Sequence, residues 1–179
     1  MLPHALRVMR QFPFSHTEPG VRYFELRPVS WNEATTLEQR FRPGIDPEQA
    51  VLRASDQLHE DYAYVFDAAW DLWQLSEKDR QWSIRPSPVK FIVHGVEFDD
   101  GVFEQEGHIQ VDFGLDSQFL QEQVALSSET EARIRANVQK LVDFTNRIEQ
   151  HSGASARLLW SESDDNLAQK LVARLQMVQ

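Results

Sequence analysis

Apolar and polar positions alternate along Val21 to Arg27 (VRYFELR), which predicts a strand closed by Pro28. Trp31 to Leu37 offers a second short extended piece. Residues 1–20 hold Pro3, Pro13, Pro19 and Gly20 without a sustained period, so they read as a poorly regular lead-in. After Arg42-Pro43-Gly44, read as a turn, the period changes. Asp46 suits a helix N-cap, Pro47 the first helical position and Gln49 a capping box. Val51, Ala54 and Leu58 then share one helical face.

Tyr62 to Leu75 fits both periods in part. Its density of aromatic residues favours strand, and the polar stretch Ser76 to Arg80 between Trp73/Leu75 and Trp82/Ile84 has the pattern of a hairpin with cross-strand aromatic pairs. Val89 to Phe98 (VKFIVHGVEF) is apolar on both alternating sets, as expected of a central strand covered on both faces. Gly95 within it points to a bulge or a close backbone approach. Asp99-Asp100-Gly101 suits a tight hairpin turn, and Gly107 to Gly114 alternates with Ile109, Val111 and Phe113 facing inward.

The last third is helical in pattern. Ser128 and Glu131 form a capping box, followed by Ile134, Val138, Leu141, Thr145 and Ile148 on one face to about His151, with a stop at Ser152-Gly153. Ala156 to Ser161 reads as a short strand, and Leu167, Leu171, Leu175 and Val178 as one face of a final helix begun by Ser163 or Asp164. The fold class expected is α+β: one domain over 1–179, with a mostly antiparallel sheet of about five to seven strands covered by about three helices.

Composition sharpens this picture in two ways. There is no cysteine, which excludes disulfides, thiolate metal sites and cysteine nucleophiles. The net charge of −10 is concentrated: between Lys90 and Arg133 there are ten acids and no Lys or Arg, whereas acids and bases balance elsewhere. Such a surface repels phosphate backbones and anionic membranes, so neither nucleic acid nor membrane is an expected partner. No apolar run reaches the length of a membrane span or a signal peptide, and a cytoplasmic location is the plain expectation.

Candidate chemistry is thin. His94, Asp99, Asp100, His108 and Asp112 are metal-ligating types, but His108 and Asp112 stand about 13 Å apart along a strand and cannot share one ion. The Asp99–Glu106 stretch lacks the alternating acids of a calcium loop, and no acid pair is singled out for glycoside chemistry. Nucleophile elbows and glycine-rich phosphate loops are missing from the sequence. No cofactor or metal is expected.

Two functional expectations remain. The first is a non-enzymatic interaction protein with an acidic face formed by Glu97, Asp99, Asp100, Glu104, Glu106 and Asp112, a regulatory or inhibitor-like partner of a basic protein. The alternative is a small-molecule-binding domain or enzyme, with a pocket between sheet and helices lined by Trp70, Trp73 and Trp82 and with His94 as its polar group. Oligomeric state is left open by the sequence.

Overall fold

A computed structural model describes residues 1–76, 78–114, 116–119 and 127–156. In order, the elements are α1 (Leu2–Arg10), β1 (Val21–Pro28), β2 (Leu37–Ile45), α2 (Pro47–Ser55), β3 (Tyr62–Leu75), β4 (Trp82–His94), α3 (Phe103–Glu106), β5 (Ile109–Asp112) and α4 (Ser128–His151). Short 3-10 turns lie at Phe98–Asp100 and Asp116–Gln118. The five strands form one antiparallel sheet in the order β2-β1-β3-β4-β5, so the fold is α+β with the strand count at the low end of expectation. No helix among the described residues is long and apolar enough to cross a membrane.

The chain divides into two compact units, one of Met1–Asp71 with Pro86–Phe113 and one of Leu72–Arg85 with Gly114–Gln179. In the first, β1 and β3 pair Phe24 with Phe66 and Leu26 with Tyr64, all four buried. The rings of Phe24 and Phe66 stack with centroids 5.0 Å apart. Residues 1–20 are not the irregular lead-in their prolines suggest. Pro3 occupies the first turn of α1, where its missing N–H costs nothing, and Leu2, Ala5, Val8 and Met9 form a buried stripe. Phe12 carries the stripe onto the sheet, packing against Trp70 at 5.6 Å and Phe91 at 5.1 Å.

Two further expectations need correction. Trp31 to Leu37 is not extended, since β2 begins only at Leu37; and Arg42-Pro43-Gly44 lies inside β2 instead of forming a turn. Proline is tolerated there because β2 is the sheet's edge, where one side of the strand needs no N–H. Gly44 is required by closeness: a Cβ on it would stand 2.1 Å from the Pro19 carbonyl oxygen. Tyr62 to Leu75 is strand, as its aromatic density predicts.

In the second unit, α4 starts one residue earlier than the capping-box pattern implies. Ser127 is the N-cap, and its hydroxyl accepts from the Thr130 N–H. Ile134, Asn137, Val138, Leu141 and Phe144 are its buried positions. The expected strand at Ala156 to Ser161 and the final helix lie outside the described residues.

Candidate functional site

The excursion between β4 and β5 carries five of the ten unbalanced acids: Glu97, Asp99, Asp100, Glu104 and Glu106. β4 ends at His94, short of Phe98, and the tight hairpin turn expected at Asp99-Asp100-Gly101 does not form. Gly95 explains the break. A Cβ on Gly95 would stand 2.1 Å from the Glu60 carbonyl oxygen, so the chain passes against the 60–62 backbone where only glycine fits. Gly95 N–H donates to Tyr62 O at 2.8 Å and Glu97 N–H to Glu60 O at 2.8 Å. These bonds swing the chain off the ladder, and it returns only at Ile109.

The turn that follows is conformationally costly. Asp99 (φ 48°) and Asp100 (φ 54°) both adopt the left-handed region, and so does Val29 (φ 60°) at the end of β1. The three belong to one corner. Val29 N–H donates to Asp61 O at 2.7 Å, and Asp99 N–H donates to Val29 O at 2.7 Å. For a β-branched residue this backbone is a true outlier. Val29 is nevertheless 54% exposed, and Val96 is 39% exposed. Glu97, Asp100, Glu104 and Glu106 are exposed on the same excursion, with Asp99 half-buried. Beneath them Phe98 is fully buried, meeting Trp31 edge-on at 5.1 Å.

Asp112 stands apart from the other five acids. It lies on β5 opposite Lys90 on β4. The same ladder ends with Val93 opposite Ile109, so the His94 backbone meets His108, with His94 N–H donating to His108 O. A hairpin does not bring His94 to Asp112; they stand four ladder positions apart, about 13 Å along the strand. Among the described residues, no group of three or more His, Asp or Glu is placed to hold a metal ion.

His94 is wholly buried, its ring parallel to Phe98 at 6.0 Å and edge-on to Trp31 at 5.9 Å. Its Nδ1 lies 3.0 Å from Gly107 O, a carbonyl that can only accept, so Nδ1 carries the hydrogen. Trp70 is also fully buried, with Phe12 and Phe113 against its ring. Trp73 and Trp82 are half-buried in the second unit, where Arg133 lies over the Trp73 ring at 4.3 Å.

Sequence reasoning missed two features. One is a polar row on the sheet. Tyr23 on β1 pairs with Arg40 on β2 and with Asp67 on β3. Burial raises the Asp67 carboxyl above the usual carboxylate range, although Lys90, Arg22 and Arg40 all pull it down. Burial likewise raises the Tyr23 hydroxyl, helped by hydrogen bonds to Glu38 and Glu25. The signal lay in the alternation of Tyr23, Glu25 and Arg27 along β1. The other is Asn137, whose amide grips one residue of β3. Its Oδ1 accepts from Trp73 N–H, and its Nδ2 donates to Trp73 O and Gln118 O, each at 2.9 Å. An asparagine three residues after Ile134, on the apolar face of α4, was its trace in the sequence.

No protein-family model, no curated protein and no solved structure matches this chain. Its function is argued from its own residues.

Proposed function

We propose that this protein acts by binding another protein, and that the corner formed by Val29, Val96, Glu97, Asp99, Asp100 and Glu104 receives a basic segment of its partner. The observation that carries this reading is Val29. A side chain in left-handed backbone costs about 1–2 kcal/mol, which glycine would avoid, and such conformations persist where surrounding structure enforces them. Here backbone hydrogen bonds to Asp61 O and from Asp99 N–H hold Val29, and the result is an aliphatic side chain displayed to solvent. An exposed valine joined through its backbone to a segment of exposed acids suits a partner with an aliphatic or aromatic residue flanked by Lys or Arg. The finer role, regulation or inhibition of a basic protein, follows from covering such a segment.

Less supports the alternative of a tryptophan-lined ligand pocket. The polar group assigned to it, His94, is bonded to backbone, and Trp70 is packed among phenylalanines. The test is crosslinking in cells to identify the partner, then measuring its affinity by calorimetry for the wild type, Val29→Gly and the triple variant Asp99→Asn, Asp100→Asn, Glu104→Gln. Both variants should bind at least tenfold more weakly, a loss of about 1.4 kcal/mol, and wild-type affinity should fall as salt rises. Affinity indifferent to both changes and to salt would reject the reading.

A further inference from the structure

We propose that His94 and Glu106 form a proton-operated clasp on the 95–107 excursion, one that closes as the pH falls below neutral. With Nδ1–H committed to Gly107 O, the neutral ring presents a lone pair at Nε2. That nitrogen is buried and has no hydrogen-bond partner among the described residues. Glu106 Oε2 stands 4.0 Å from it. With the ring neutral, two acceptors therefore face each other, a mismatch that holds the carboxylate back from the ring.

A proton taken up at Nε2 removes the mismatch. The imidazolium then donates from both nitrogens, and Glu106 becomes the acceptor already aimed at the second. A contraction of about 1 Å brings the pair to the length of a charge-assisted hydrogen bond. Glu106 can supply that movement: its side chain is 46% exposed and it ends the four-residue helix α3. Closing the pair fastens the C-terminal end of α3 to the last residue of β4, so the excursion is pinned at both ends, by Gly95 and by Glu106.

The groups around His94 are consistent with this direction. From the turn after β1 comes Trp31, with the Arg27 guanidinium 5.8 Å from its ring centroid. From the 3-10 turn comes Phe98, followed by Asp99 and Asp100. From the segment before β3 come Glu60 and Asp61, through the backbone bonds to Glu97 and Val29. From the residue before β5 comes His108, whose own ring stacks on Phe103 at 4.4 Å. Tyr62 O accepts from the Gly95 N–H, and the His59 ring lies against Tyr62 at 4.5 Å.

Any consequence for partner binding rests on the reading above; the clasp itself is tested without a partner. Amide exchange of 95–107 in the full chain, corrected for intrinsic rates, is compared at about pH 5.5 and about pH 7.5, the interval in which imidazoles take up protons. Protection in the wild type should rise several-fold at the lower pH, and the rise should vanish in Glu106→Gln. Proton NMR at the lower pH should show a solvent-protected Nε2–H for His94 in the wild type and its loss in the variant. Protection that stays level or falls on acidification, or that rises equally in Glu106→Gln, overturns the proposal.

Discussion

The two ends of β4's neighbourhood are held by different forces. Around Phe91, contact is aromatic: Phe12, Trp70, Phe91 and Phe113 meet ring against ring. Around His94, a few residues further along, position is fixed by hydrogen bonds to the backbone of Glu60, Tyr62, Gly107 and His108, and His94 Nε2 and Glu106 Oε2 stand 4.0 Å apart. The first arrangement stabilises; it tolerates small shifts because dispersion is not directional. The second places groups at defined points and stores cost at Val29, Asp99 and Asp100. A protein can afford the second only because it has the first.

That contrast can be broken from either side. Trp70→Ala should cost about 3–5 kcal/mol of global stability, read by denaturant unfolding, because it empties the centre of the aromatic cluster. Gly95→Ala should cost about 3 kcal/mol, since backbone must move to admit a methyl group. Its signature differs, however: lost exchange protection should centre on 95–107 and 60–62. Asn137→Leu should cost about 2 kcal/mol by leaving the half-buried amide and carbonyl of Trp73 without their Asn137 partner. Val29→Gly should stabilise by about 1 kcal/mol while weakening partner binding, which separates stability from function at one residue.

The smallest expected effect concerns Asp67. Its folded-state carboxyl titrates above its unfolded value, so the folded chain holds that proton more tightly. The contribution to stability is therefore fully present below the unfolded value and is lost as the pH rises through the folded one. Asp67→Asn should raise the thermal midpoint slightly at neutral pH and leave it unchanged in acid, as measured by calorimetry across that range. A midpoint lowered at neutral pH would mean that Lys90, Arg22 and Arg40 outweigh burial.

Much of the framework was legible because it follows periods. VRYFELR, the aromatic run from Tyr62, VKFIVH and the stripe from Ile134 each declared their element. Helix α1 did not, because Pro3 looks like a breaker unless the chain is known to begin its first turn there. Strand β2 did not, because Arg-Pro-Gly signals a turn locally, whereas an edge position removes the objection to proline. The acid excess was visible, but its division was not: the pairing of β4 with β5 sets Asp112 opposite Lys90 and leaves the other five on the excursion. The strained corner could not be read at all, since valine carries no mark of left-handed backbone, and Val29 and Asp99 are far apart in sequence.

Asn137 has one more implication. β1 and β3 are paired only as far as Asp67, yet β3 continues to Leu75, with a bridge from Phe14 to Trp70 and a bond from Ser15 N–H to Ala69 O along the way. At Trp73, a bare N–H and C=O side by side would be the docking template for a strand from another molecule. A carboxamide has the same donor and acceptor as a peptide unit, and here it occupies that template. One side chain on a helix thus plays the part of a missing strand and denies self-assembling chains a foothold.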